Sequence, residues 1–248
     1  MPVAQNNVGR YKPGEIIFKD YVVNRSNIGE GVYAWVHEVE NKARKRALKV
    51  FKTRIDWEGG QGKDEGRGVK AVKDLQSLYL MEIVDYGYTV LDESCLLMEY
   101  VKETLEDQLV KKGGRLNEAL ACYYFTEILK GLKDLKTFAI IHRDIKPGNL
   151  FLFGNTIKIG DYGFARFTSG SSGSMSGAPG TPAYSAPEVF EERYSFAADW
   201  WSVAVILFRM LTGQMPFAGE TQASVMKSVM FNEPDYSIVP KKYRSFLK

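Results

Sequence analysis

The chain has 248 residues, 45% hydrophobic and 25% charged, with 33 basic and 30 acidic side chains and a net charge of +3. That length supports one large domain or two lobes around a sizeable core, and the composition is ordinary for a globular protein. The near balance of charge gives no reason to expect a nucleic-acid or membrane-surface partner. The longest apolar run, Trp200 to Phe208, falls far short of the roughly 20 residues that span a bilayer.

The N-terminal "MPVAQNNVGRYKPG" has no apolar signal core, which argues against secretion. Residues 1–20 read as an extension ahead of the domain. From Asp20, "DYVVNRSNIGEGVYAWVHEVE" alternates β-branched and aromatic runs around a glycine turn, and "RALKVFK" predicts a further strand. Between them, the basic "NKARKRALK" (Asn41 to Lys49) reads as an exposed hairpin tip rather than a nucleic-acid patch. "GGQGKDEG" (Gly59 to Gly66) predicts a glycine-broken loop. Val69, Val72, Leu75, Leu78 and Leu80 then recur at roughly helical spacing. "YGYTVLDESCLLMEYV" predicts a hairpin turning at "LDES".

Beyond Val101 the pattern turns helical. Ala121, Phe125, Ile128, Leu132 and Leu135 form one stripe behind a candidate cap at Asn117. "LFLFGNTIKIGDYG" predicts a short hairpin with a Gly-Asn turn. "AADWWSVAVILFRMLTG" is apolar nearly all round, so it predicts a buried helix closed by Gly213. Cys95 and Cys122 have apolar neighbours and no metal-type spacing, which predicts two buried free thiols in a reducing compartment. The expected fold is α+β: a small antiparallel β-rich lobe with one main helix over residues 21–101, a connector near Glu99 to Thr104, and a larger, mainly helical lobe over 102–248.

Three stretches carry candidate chemistry. In "IGEGVYAWV", Gly29 and Gly31 let backbone N–H groups approach a polyphosphate, although G-x-G in a hairpin is more often only a turn. Lys49 follows in an apolar strand. It either points to solvent or reaches phosphates beneath the glycine turn. In "IIHRDIKPGNLFL", Asp144, Lys146 and Asn149 fall close together, and "IGDYG" adds Asp161. A carboxylate can accept a hydroxyl proton, Asp and Asn oxygens suit Mg²⁺, and a lysine can neutralise charge on a transferring phosphoryl group.

Taken in order, these stretches resemble the eukaryotic-type protein kinases from about Tyr21 onward. Gly29, Gly31 and Val36 match the family's G-x-G-x-x-G-x-V loop, and Lys49 matches its strand lysine. "HRDIKPGN" matches the catalytic loop at all five fixed positions. "DYG" matches the metal motif at Asp161 and Gly163. "GTPAYSAPE" with Glu188, and "DWWS" with Asp199, match the end of the activation segment and the buried helix.

The resemblance implies roles. Asp144 accepts the substrate proton, Lys146 contacts the γ-phosphate, Asn149 and Asp161 hold Mg²⁺, and Lys49 grips the α- and β-phosphates of ATP. Ile28, Gly29, Glu30, Gly31, Val36 and Ala47 belong to the nucleotide site, with the backbone of Glu99 and Val101 at the adenine, Met98 behind it and Phe151 as floor. Lys146 together with "GTPAY" resembles serine/threonine kinases, in which Thr181 would bridge to Asp144 and Lys146. The implied substrates are proteins bearing serine or threonine, and the implied location is cytoplasmic, with the nucleus left open.

The chain departs from the family pattern at several places. Ala34 replaces the third glycine, Tyr162 the usual Phe, and Ala204 a usual glycine. The partner of Lys49 is Asp74 or Glu65, with "KDLQSL" favouring Asp74. The arginine that usually pairs with Glu188 would lie past Lys248, so the larger lobe is expected to be incomplete. The last two departures, the Lys49 partner and the missing arginine, leave a pseudokinase-like binding or scaffold module as the alternative; the first three do not suggest an inactive enzyme. The serine-rich "FTSGSSGSMSGAPGTPAY" reads by composition as a linker, but its place between "DYG" and "APE" makes it the activation segment. Ser174 or Ser176 is its candidate phosphate acceptor, by an upstream kinase or by autophosphorylation, with Arg143 placed to meet the phosphate.

Overall fold

In the computed structural model, residues 11–31, 33–42, 44–57, 65–162, 166–167, 181–191 and 193–247 are described. The chain divides into two units, the first comprising Met1–Gln76 with Met81–Val101, the second Ser77–Leu80 with Lys102–Lys248.

The first unit is built on a six-stranded sheet of order β1-β2-β3-β4-β6-β5. Its strands are β1 (Ile16–Phe18), β2 (Tyr21–Glu30), β3 (Ala34–Asn41), β4 (Arg44–Phe51), β5 (Ile83–Tyr88) and β6 (Ser94–Glu99), and all pairings are antiparallel. The basic stretch forms the β3–β4 hairpin tip, with Lys42 at φ 45° and Lys42, Arg44 and Lys45 exposed. Alternation along β4 divides its side chains. Leu48 and Val50 enter a core with Ile17, Phe18, Val23, Val39, Cys95 and Leu97. Ala47, Lys49 and Phe51 take the other face. Tyr11 and β1, ahead of Tyr21, are part of this unit: Tyr11 is buried in the same core and its hydroxyl donates to Thr89 Oγ1 at 2.8 Å.

The helix of this unit, α1, spans Glu65–Lys73. It begins inside the stretch whose glycines predict a loop, and it ends before Leu75, Leu78 and Leu80, which the spacing predicts as helical. Glycine's helix penalty of about 1 kcal/mol is outweighed here by burial of Val69 and Val72. The C-terminal end has a local cause. Leu75 N–H closes back on Val72 O, and Ser77 Oγ accepts from Tyr79 N–H, giving the backbone a non-helical partner. Leu78 is consequently 75% exposed.

In the second unit, α2 (Leu105–Lys111) starts with a capping box between Thr104 and Asp107, and α3 (Glu118–Thr137) starts at Asn117, whose side chain accepts from Leu120 N–H. The stripe of α3 is buried at Ala121, Ile128, Leu132 and Leu135, while Phe125 is half-buried and meets the Phe246 ring edge-on. Gly131 is demanded by packing: a Cβ there would lie 2.8 Å from Ile159 Cδ1. Three short strand segments follow, β7 (Ile140–Ile141) and the hairpin of β8 (Leu150–Phe153) and β9 (Thr156–Ile159), with Gly154 at φ 60° in the turn. A two-residue β10 (Arg166–Phe167) pairs with β7.

Helix α4 (Phe196–Thr212) is the buried helix expected, with ten buried side chains and Gly213 capping it at φ 76°. Helices α5 (Gln222–Phe231) and α6 (Lys241–Leu247) follow. Cys95 is buried as expected. Cys122 is only half-buried, because it sits on the flank of α3 against the Tyr243 hydroxyl of α6. Among the described residues no helix is long and apolar enough to cross a membrane.

Candidate active site

In the first unit, strand register assembles one face. Gly29 lies opposite Val36, Val36 opposite Lys49, Lys49 opposite Leu96, and Ala47 opposite Met98. Cross-strand partners share a face, so Gly29, Val36, Ala47, Lys49 and Met98 lie together. Lys49 does not point to solvent: it is 8% exposed, with its Nζ 5.4 Å from the Phe51 ring centre. The glycine turn closes by Gly31 N–H donating to Ala34 O at 2.9 Å. Neither glycine is required by packing, since a Cβ on Gly29 would rest 3.7 Å from Val36 and one on Gly31 3.8 Å from Ala34 O.

Ile28 and Glu30 are exposed, and Glu30 pairs with Lys52 at 3.1 Å. Glu99 is buried. Its N–H donates to Glu82 O and its carboxylate accepts from Glu82 N–H at 2.8 Å, so any adenine contact by its backbone falls to the carbonyl. Val101 follows at the end of the unit, half-buried. Asp74, favoured above as the partner of Lys49, lies past the end of α1 in an exposed turn. Glu65 is the first residue of α1.

In the second unit, the loop from His142 to Asn149 is braced from below by α4. Asp199, 3% exposed, accepts His142 N–H at 2.8 Å on one oxygen and Arg143 N–H at 2.9 Å on the other. Burial pushes its carboxyl above its ordinary range, against the opposing pull of His142, Arg143 and those N–H groups. The brace matters because Arg143 sits at φ 73°, a conformation that a non-glycine residue holds only when its surroundings compel it.

His142 is fully buried and works at both ring nitrogens. Nε2–H donates to Gly160 O at 2.9 Å, and Nδ1 accepts Asp144 N–H at 3.3 Å. It thus ties the loop to the segment that leads into Asp161. That tie is doubled by Gly160 N–H donating to Asn149 O at 2.9 Å. Asp161 itself is at φ 63°, and the following Tyr162 is buried with its hydroxyl donating to Ile159 O at 2.6 Å.

The Asp144 carboxylate is 4% exposed and asymmetrically engaged. Its Oδ2 accepts from Asn149 Nδ2 at 2.9 Å and from Lys146 Nζ at 2.9 Å. Among the described residues no such bond reaches Oδ1. Asn149 Nδ2 also donates to Asp144 O at 2.8 Å, so the side chain spends its nitrogen, not Oδ1, on the loop. Four side chains that the sequence placed on two motifs, Asp144, Lys146, Asn149 and Asp161, are therefore held on one connected scaffold. Phe151 is half-buried in β8 and bridged to Thr104.

Beside Asp144 a small depression is lined by Arg143, Thr181, Tyr184, Ser185 and Ser202, among others. Thr181 borders it, but among the described residues its hydroxyl bonds neither Asp144 nor Lys146. The Arg143 guanidinium stacks 3.8 Å from the Tyr194 ring centre. Gly163, Ser174 and Ser176 lie outside the described residues. Glu188 is half-buried on a turn over Pro187–Glu191 rather than enclosed in the core. The sequence reading missed one group of residues here: Arg209 of α4 joins Glu106 of α2 and the Tyr184 hydroxyl. The available signal was a lone arginine in an otherwise apolar helix.

Residues 22–245 match the protein kinase domain family model. The chain is 36% identical over 140 residues to the serine/threonine-protein kinase ATG1b of Arabidopsis thaliana, covering 54% of this chain and 20% of that protein. It is 30% identical over 244 residues to human serine/threonine-protein kinase Nek11, covering 93% of this chain and 37% of that protein. It is 33% identical over 243 residues to Arabidopsis serine/threonine-protein kinase PEPKR2, covering 92% and 48% respectively. The chain thus spans a fifth to about half of the length of these relatives. With its β-rich first unit and mainly helical second unit, the chain belongs to the protein kinase domain family, as a catalytic domain of the eukaryotic serine/threonine type.

Proposed function

We propose that this chain transfers the γ-phosphoryl group of ATP to serine or threonine hydroxyls of protein substrates, with Asp144 as the catalytic base. The observation that carries the reading is the asymmetry of the Asp144 carboxylate. Its Oδ2 is occupied by Asn149 and Lys146, which fixes the rotamer and leaves Oδ1 to accept a hydroxyl proton. Lys146, 2.9 Å from that carboxylate and 30% exposed, is placed to balance charge as the proton arrives and the phosphoryl group moves.

Asn149 Oδ1 and the Asp161 carboxylate form a hard-oxygen donor set of the kind that fits Mg²⁺, on segments joined through the Gly160–Asn149 bond. Magnesium bound there supplies neutralisation of the phosphate oxygens. In the first unit, Lys49 offers a buried cation for the α- and β-phosphates. Gly29 and Gly31, which packing does not require, leave the backbone open for phosphate approach. Val36, Ala47 and Met98 on the same sheet face, with Ile28, Glu30, Glu99 and Val101, are the nucleotide-holding residues of the first unit, and Phe151 is that of the second. Free cysteines at 95 and 122 favour a reducing, cytoplasmic setting. Arg143 would meet a phosphate on Ser174 or Ser176 alongside Tyr194.

Incubation of the purified chain with labelled ATP, Mg²⁺ and a generic basic protein tests the reading. Label should transfer, and Asp144→Ala should abolish transfer. No transfer by the unaltered chain would point instead to a pseudokinase-like scaffold, and undiminished transfer by the variant would overturn the role given to Asp144.

A further inference from the structure

Helix α4 carries two charged side chains. Asp199 braces the catalytic loop, and Arg209 has no part in that mechanism. Its guanidinium makes a bidentate pair with Glu106, Nη1 to Oε2 at 2.5 Å and Nη2 to Oε1 at 2.7 Å. Nη1 also donates to the Tyr184 hydroxyl oxygen at 2.6 Å. Contact with Glu106 holds Arg209 protonated well beyond any accessible pH, and burial pushes the Tyr184 phenol up.

Tyr184 is 8% exposed and fixed at both ends. Its carbonyl accepts Ser202 Oγ at 2.7 Å while its phenol accepts Arg209. Both anchors come from α4. Tyr184 closes the turn over Pro182–Tyr184, and Thr181, Tyr184 and Ser185 share the depression that Asp144 borders. The segment 181–185 is therefore the wall beside the base, and its position is set by the same helix that sets the loop.

A half-exposed ion pair adds little net stability, because desolvation offsets the Coulomb gain. What a bidentate pair adds is fixed geometry. We propose that Arg209 and Glu106 are positioning residues for the protein substrate: through Tyr184 they hold segment 181–185 where a peptide presenting its hydroxyl to Asp144 must lie. This rests on Asp144 being the transfer centre.

The test is steady-state kinetics with histone and with dephosphorylated casein, varying protein and ATP in turn. Arg209→Ala and Glu106→Ala should raise KM for the protein substrate about tenfold, equivalent to a loss of about 1.4 kcal/mol in binding, while KM for ATP stays within about twofold. Tyr184→Phe should give part of the same effect with the melting temperature unchanged. The double exchange E106R/R209E, which restores a charge pair and lets the Tyr184 hydroxyl donate to the carboxylate at 209, should recover most of the protein KM. A protein KM unchanged in Arg209→Ala, a loss shared equally by both substrates, or no recovery in the exchange would overturn the positioning role alone. Absence of transfer by the unaltered chain to both proteins would overturn the kinase reading and this inference with it.

Discussion

The loop 142–149 and the glycine turn at Gly29 and Gly31, both proposed above to serve phosphate chemistry, are held in opposite ways. The loop is braced by side chains reaching its backbone: Asp199 takes two N–H groups, His142 links it to Gly160, and Asn149 binds the Asp144 carbonyl. The turn is closed by backbone, through Gly31 N–H to Ala34 O and the β2–β3 ladder. The difference fits the roles proposed for them. A proton acceptor has to keep one oxygen aimed at one atom, and that aim costs strain at Arg143 and Asp161, which only a buried polar network compensates. A turn that covers a polyphosphate presents interchangeable N–H groups, and ladder geometry is sufficient for that.

Replacing Asp144 by Asn should show the largest effect. Turnover with protein substrate should fall by about a thousandfold, within the span of general base contributions, while thermal melting stays close to that of the unaltered chain. A fall of tenfold or less would break the claim that the loop exists to aim this carboxylate. Asp199→Ala should come next and act on both activity and stability. Two buried N–H groups lose their acceptor, at about 1–3 kcal/mol each. Urea unfolding should show the loss, and turnover should fall with it. If stability falls but turnover per folded molecule does not, the brace is structural only.

The turn should respond more gently. Gly31→Ala meets no clash, so melting should be unmoved, while KM for ATP rises about threefold to tenfold if the added methyl keeps phosphates off the backbone. An unchanged KM would make the glycines a turn and nothing more. The smallest effect contrasts the two units through their thiols. Burial pushes Cys95 up to about 12, whereas Cys122 is half-buried beside Tyr243. Iodoacetamide at neutral pH should label Cys122 first, read by peptide mass spectrometry, with Cys95 labelled only on unfolding.

Much of the candidate site was readable because its spacing is local. Asp144, Lys146 and Asn149 fall within six residues, and the bonds among them need only the turn over Pro147–Asn149. The caps at Asn117 and Gly213 were readable for the same reason, since a cap is decided by its own side chain or by a left-handed φ. The end of α1 was not. Hydrophobic spacing ran on to Leu80, but Ser77 accepts Tyr79 N–H and its hydroxyl donates to Asp134 of α3 at 2.5 Å, a partner 57 residues away. Tyr11, ahead of any recognisable pattern, is in the core because Thr89 supplies a hydrogen bond across 78 residues.

The sequence by itself determined the kinds of group and their order: glycines in a hairpin, a lysine in a strand, a carboxylate, amine and amide in one loop, and a second carboxylate after a hairpin. Short-range chemistry sets those, because residue type and local spacing dictate which backbone and donor patterns can form. The tertiary structure decided that Asp199 carries the loop and that Arg209 reaches both Glu106 and Tyr184. Each of these depends on groups far apart in the chain meeting within about 3 Å, and no periodicity encodes that distance.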